Sequence, residues 1–90
     1  MRAKTLAALA DPIRLRILDF LGSKRSCVCD LREAVGIAPN LLSYHLSMLR
    51  EADLIKGTRR GRWIDYQLTG VAPELVAAAL PVVLEPPEAA

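Results

Sequence analysis

The run Asp30-Leu31-Arg32-Glu33-Ala34-Val35-Gly36-Ile37-Ala38-Pro39-Asn40-Leu41-Leu42-Ser43-Tyr44-His45-Leu46 carries two helix signatures back to back. Asp30 with Glu33 three residues later resembles a capping box with Asp in place of Ser, which predicts a short helix from Leu31 with Leu31, Ala34 and Val35 on its apolar side. Gly36 ends that helix and Ile37-Ala38 makes a tight connection. Pro39 suits the first turn of a second helix, expected to run to about Ala52. Two helices joined by a turn of about three residues that includes a Gly have the spacing of a helix-turn-helix.

At about 100° per residue the second helix gathers Leu42, Leu46 and Leu49 on one face, with His45 at its edge. Asn40, Ser43, Tyr44 and Ser47 fall opposite. That polar, uncharged stripe of short hydrogen-bonding groups and one phenol suits a helix that reads base edges in a major groove. An ordinary solvated face has the same look, so the flanking sequence decides.

Downstream, Leu54 to Arg59 and Arg62 to Leu68 are strand-like around a turn at Arg60-Gly61. The second strand alternates, with Ile64, Tyr66 and Leu68 on one side and Trp63, Asp65 and Gln67 on the other. The hairpin is tipped with Lys56, Arg59, Arg60 and Arg62, which can reach the phosphates or minor groove beside a helix-filled major groove. A solubilising loop is the bland alternative. After Thr69-Gly70 an apolar helix is expected from Val71 to Leu84, with Pro73 near its start and Pro81 near its end, and Glu85 to Ala90 reads as a disordered tail.

Upstream, Asp11-Pro12 is a sharp helix start, because Asp accepts from an orphan N–H and Pro at the first position loses no bond. The helix it opens should run from Pro12 to Leu21, burying Ile13, Ile17, Leu18 and Leu21, with Arg14, Arg16 and Asp19 elsewhere and Gly22 as a left-handed stop. Thr5 to Ala10 is a short apolar helix candidate, and Ser23 to Ser26 a basic loop leading into Cys27-Val28-Cys29.

Ninety residues suffice for one small domain, expected over 1–84. A composition 52% hydrophobic and 24% charged excludes a disordered chain, and 4% aromatic residues leave an aliphatic core that suits helices. The net charge of +2 conceals an asymmetry. All twelve Lys and Arg lie at or before Arg62 beside six acids, a surplus of six, whereas the remainder carries four acids and no Lys or Arg. Nucleic acid is therefore a serious partner for the first two-thirds. Two cysteines are too few for a stapled secreted scaffold, and Met-Arg-Ala-Lys-Thr is no signal peptide, so a reducing cytoplasm is expected. The longest apolar stretch, Leu75 to Leu84, is too short to span a bilayer and is interrupted by Pro81. So small a domain has little core to spare for its apolar terminal helices, which points to a homodimer built on Leu6, Leu9, Leu75, Val76 and Leu80.

Over Leu9 to Leu68 the chain resembles the ArsR/SmtB metal- and metalloid-responsive repressors, small dimeric winged helix-turn-helix proteins. Ala10-Asp11-Pro12-Ile13-Arg14-Leu15-Arg16-Ile17-Leu18 is similar to the family's first long helix. Ser43-Tyr44-His45-Leu46 falls where the recognition helix carries Ser-x-His-Leu, and Arg60-Gly61-Arg62-Trp63 falls in the wing. Cys27-Val28-Cys29-Asp30-Leu31 looks like the metal box of thiol-using members, which bind arsenite, antimonite, cadmium or lead and then release DNA. The resemblance implies a mainly α fold with a β-hairpin wing and a homodimer on a palindromic double-stranded operator. It also implies His45 among the DNA-binding residues. The departures matter. Arg32 stands where many arsenic sensors have a third cysteine, the N-terminus has no cysteine, the last helix has Glu74 but no His, and Asp53 replaces the usual Gly.

Residues two apart lie about 200° around a helix but on one side of an extended segment, so Cys27 and Cys29 chelate well where this stretch is extended or unwinds. Soft thiolates select As(III), Sb(III), Cd(II) or Cu(I) over Mg or Ca, and two thiolates leave the coordination sphere to be completed by another ligand. As(III) or Sb(III) as inducer is the leading reading. Two buried small hydrophobes, or a thiol redox switch with its pKa lowered by Lys24, Arg25 and a helix N-terminus, are the alternatives. An enzyme built on Cys and His45 lacks an orienting carboxylate, and a winged helix serving as a protein-binding module is the stronger rival.

Overall fold

The structure, a computed structural model, describes residues 2–79. Along the chain these form α1 (Arg2–Leu9), α2 (Pro12–Ser23), β1 (Ser26–Cys27), α3 (Val28–Val35), α4 (Pro39–Glu51), β2 (Ile55–Arg60), β3 (Trp63–Leu68) and α5 (Ala72–Ala79). None of the described helices is long and apolar enough to cross a membrane. Leu80, Pro81 and the tail Glu85 to Ala90 lie outside the described residues.

Asp11 caps α2 as expected: its carboxylate accepts from the backbone N–H of Ile13 at 2.8 Å and of Arg14 at 3.2 Å. The end of α2 differs from the sequence reading. Gly22 stays helical, and the helix runs to Ser23, where the chain passes through extended Lys24 (φ −171°, ψ 158°) toward β1. The Ser23 hydroxyl donates to the carbonyl of Phe20 at 3.2 Å, so a last-turn acceptor is satisfied without a left-handed residue.

A second correction concerns α3, which starts three residues earlier than the capping box suggests. Cys27 is its N-cap (φ −78°, ψ 160°) and makes no side-chain cap bond, while Asp30 sits inside the first turn, where its charge still favours the helix dipole. The cause is β1: Ser26 and Cys27 pair antiparallel with Tyr66 and Asp65, and the chain must turn into helix directly after them. The sheet therefore has three strands in the order β1-β3-β2, with β3 central rather than at an edge. Gly36 ends α3 in the left-handed conformation (φ 69°, ψ 35°), its N–H donating to the carbonyl of Arg32.

The end of α4 is a Schellman motif carried by Asp53, the only non-glycine residue with positive φ (60°) among the described residues. The N–H of Asp53 donates to the Arg50 carbonyl at 2.9 Å and that of Leu54 to the Leu49 carbonyl at 3.1 Å. In the hairpin the two-residue turn is Gly61-Arg62, one position later than expected, so Arg60 belongs to β2 opposite Trp63.

Ile17, Leu31, Leu42, Leu49 and Leu54 are fully buried at the centre. They come from α2, α3, α4 and the α4–β2 connection, and each contributes about 1.5–3 kcal/mol by leaving water. α1 packs against α2 and α5, beside the helix-turn-helix.

Candidate nucleic-acid interface and thiol site

Leu42, Leu46 and Leu49 anchor α4 in the core, which turns Asn40, Ser43 and Tyr44 to solvent. Tyr44 is 55% exposed. Ser47 is half-buried, and its hydroxyl donates to Glu51 Oε2 at 3.3 Å. Leu41, 50% exposed beside Asn40, belongs to the same face and is absent from the sequence candidates. Its signal is an apolar residue outside the 42/46/49 stripe, and such a side chain can touch a thymine methyl.

His45 does not belong to that face. It is 9% exposed, and its Nδ1 lies 3.0 Å from Nη1 of Arg14. A guanidinium can only donate, so Nδ1 accepts and the ring proton sits on Nε2. Arg14, expected from the sequence to lie off the apolar face, is buried at 7% exposure. Its Nε donates to the Ala8 carbonyl at 2.7 Å and its Nη2 to that of Ala7 at 3.0 Å. The structure places His45 with Arg14 inside the domain, as a tie between α1, α2 and α4, and not on the exposed face of α4. Arg16 makes a similar but exposed tie, donating from Nη2 to the carbonyl of Ala34 near the end of α3 at 3.1 Å.

Lys56, Arg59, Arg60 and Arg62 are all exposed on the hairpin. Arg60 is tethered there by Asp65, to which it donates two hydrogen bonds. Asp65 is 6% exposed because β1 covers the sheet edge beside it, and Arg25 Nε lies 3.8 Å from its Oδ2. The Arg60 hydrogen bond holds the Asp65 carboxyl below the usual carboxylate range, against a smaller opposing effect of burial. The sequence places Asp65 on the polar side of its strand without assigning it a role. Its signal is a lone carboxylate among the wing arginines.

Cys27 is half-buried at the end of β1 and Cys29 is exposed in the first turn of α3, both as free thiols. The boundary between strand and helix thus falls between them. Desolvation, the adjacent Cys27 thiol and the charge of Asp30 push the Cys29 thiol above its ordinary range, with Arg32 pulling the other way. This corrects the expectation of a lowered pKa: Lys24 and Arg25 do not set the environment of Cys29. Cys29, Arg32, Glu33 and Ile37 line an open recess of about 370 Å³. Among the described residues no group of three or more His, Cys, Asp or Glu side chains converges to hold a metal ion. With Cys29 on this open recess and Cys27 two residues before it, the pair offers two soft donors, which suits a thiophilic ion that brings its own further ligand.

Of the expected dimer residues, Leu6 is exposed, whereas Leu9, Leu75 and Val76 are partly buried against the chain's own core.

Residues 11–56 match the family model described as bacterial regulatory protein, arsR family. The chain is 41% identical to a transcriptional repressor SmtB homolog of Synechocystis sp. over 73% of this chain and 50% of that protein. It is 35% identical to the arsenic resistance transcriptional regulator ArsR1 of Pseudomonas putida over 86% of this chain and 61% of that protein. The chain thus spans about half to three-fifths of the length of these relatives. Among solved structures, the homodimeric winged helix-turn-helix DNA-binding domain Mb0332 of Mycobacterium bovis superposes with a TM-score of 0.75 at 29% identity, over 84% of this chain and 72% of that one. These relatives are transcriptional regulators rather than enzymes. With the matched segment running from the Asp11 cap to Lys56 at the start of the wing, the chain belongs to the ArsR/SmtB family of bacterial regulators and has their winged helix-turn-helix fold.

Proposed function

We propose that this chain is a transcriptional repressor that binds a palindromic operator in double-stranded DNA as a homodimer and is released when Cys27 and Cys29 take a thiophilic ion, As(III) or Sb(III) first, with Cd(II) or another soft metal ion as the alternative. The observation that carries the proposal is the placement of the thiol pair at the entry to α3, directly ahead of a helix-turn-helix whose α4 exposes Asn40, Ser43 and Tyr44. Arsenite suits the pair chemically. Each thiol replaces one hydroxyl of As(OH)₃ with loss of one water and no change of oxidation state, and the third hydroxyl or a small thiol completes the sphere. Bonding both thiols to one atom reorganises the strand-to-helix boundary between them and displaces the start of α3 against α4. A tenfold loss of DNA affinity requires about 1.4 kcal/mol of coupling, small beside metal–thiolate bonding.

We assign the dimer to α1 and the last helix, where Leu6 is exposed and Leu75 and Val76 are only partly buried. Leu6→Glu and Leu75→Glu are expected to weaken association in sedimentation, and a wild-type chain monomeric at micromolar concentration would overturn this part. The functional test uses a duplex selected from a randomised library by the wild-type chain and read by fluorescence anisotropy. Arsenite should release the wild-type complex, and Cys27→Ser with Cys29→Ser should bind the same duplex yet resist release. Equal release of the double variant would remove the cysteines from the mechanism.

A further inference from the structure

β1 does more than cover an edge. Cys27 lies directly opposite Asp65 in the antiparallel register, and directly opposed residues share one face of a sheet. On the other side of β3, Thr58 opposes Asp65 and Arg60 stands two residues further along β2, on that same face. One row of side chains therefore runs from a thiol through a carboxylate to a wing arginine. Both oxygens of the carboxylate are committed: Nε of Arg60 reaches Oδ2 at 2.8 Å and Nη2 reaches Oδ1 at 3.2 Å. Asp65 is nearly enclosed, whereas the Arg60 side chain is 65% exposed, so the buried partner dictates where the exposed one points.

We propose that Asp65 is a positioning residue that relays the state of Cys27 to the wing. The proposal rests on the reading that Cys27 and Cys29 bind a thiophilic ion. Tying Cys27 Sγ to Cys29 Sγ through one atom re-aims the Cys27 side chain beside Asp65 and loosens a strand only two residues long. Asp65 shifts with it, and Arg60 loses the bidentate hold that fixes its direction. Release then acts on the wing as well as on α4. Trp63, opposite Arg60 and the single tryptophan of the chain, sits half-exposed at the end of this row and reports on it without DNA.

The test compares wild type, Asp65→Asn and Arg60→Gln, with arsenite as the probe. Asparagine keeps the shape of the buried residue, and Arg60→Gln breaks the same link from the exposed side while Arg25 remains beside the Asp65 carboxylate; urea unfolding of each variant checks that it is folded before it is compared. Intact-mass measurement should show one arsenic bound to all three proteins. Arsenite should change Trp63 emission in wild type and by less than half as much in either variant. The loss of affinity for the selected duplex, taken relative to each protein's own arsenite-free value, should fall from tenfold or more to under threefold. If the variants bind arsenic and show the wild-type emission change and release ratio, the relay is refuted while the thiol reading stands. If wild type takes up no arsenic, both fall together.

Discussion

Asp65 and Arg60 are locked by two hydrogen bonds, one to each carboxylate oxygen, so of the four wing cations one has its charge already matched and its direction already set. Arg59, opposite Ile64, projects from the other face of the hairpin, and Arg62 lies in the turn. Among the described residues the salt bridges to Asp65 come from Arg25 and Arg60, which leaves the charges of Arg59 and Arg62 for the surroundings.

The wing arginines should therefore differ in what they contribute. Arg59→Ala with Arg62→Ala is expected to flatten the dependence of log K on log salt by about 0.9 for each phosphate no longer neutralised, up to about 1.8 for both. Arg60→Ala should flatten the slope by a different route, because it uncovers the Asp65 carboxylate, whose repulsion from DNA is strongest at low salt and is screened as salt rises. Anisotropy titrations at stepped salt measure all three slopes, and an unchanged slope in the double variant would exclude the wing from the interface.

Acid should weaken the fold through two carboxylates. Asp65 is held low by the Arg60 hydrogen bond. Burial pushes the Asp11 carboxyl upward, but the N–H groups of Arg14 and Ile13, together with nearby side-chain charge, more than offset this and hold this carboxyl low as well. A carboxylate whose folded pKa is depressed contributes its stabilisation in full above the ordinary range near pH ~4 and loses it as pH falls through the folded value. Asp11→Asn with Asp65→Asn, which keeps a capping side chain at position 11, should flatten the fall of stability below about pH 4 in urea unfolding.

Within α4 neighbouring residues should separate stability from recognition. His45→Ala leaves the buried Arg14 short of an acceptor and should cost about 2 kcal/mol of stability, with little change in the ratio of selected to random duplex affinity. Tyr44→Ala should do the reverse, since its side chain is mostly exposed, narrowing that ratio while unfolding stays within about 0.5 kcal/mol.

Cys29 should be a slow nucleophile despite its exposure. Its thiol is pushed upward, so the thiolate that attacks an alkylating agent is scarce at neutral pH. Iodoacetamide modification of Cys29, followed by peptide mass spectrometry, should accelerate as pH rises past the ordinary thiol range of about 8.5. Rapid alkylation at pH ~7 would revive the redox-switch reading.

The long elements are legible in the sequence because their signals are local. Asp11-Pro12 and Pro39 start helices by backbone chemistry alone, the spacing of Leu42, Leu46 and Leu49 names a buried face, and alternation through β3 gives the hairpin. β1 is not legible, since two residues carry no period and Ser26-Cys27 becomes a strand only when β3 arrives from far along the chain. The displaced start of α3 follows from that omission. Arg14 and Asp65 look like surface groups in the sequence for a related reason. A buried charge is compensated by partners distant in sequence, here two carbonyls of α1 and His45 for the one, Arg60 and Arg25 for the other.

The Arg14 guanidinium binds the last turn of α1 and the middle of α4 with donors fixed in one plane, so these two helices share a single fate. If α1 frays, a cation is left facing apolar surroundings with its acceptors withdrawn, a penalty far larger than a short terminal helix ordinarily imposes when it melts. Amide exchange protection in α1 should accordingly rise and fall with that of α4 instead of tracking the fast opening of a loose arm. An eight-residue helix would by itself be marginal in water. Anchored this way, it belongs to the same cooperative unit as the helix proposed to read DNA.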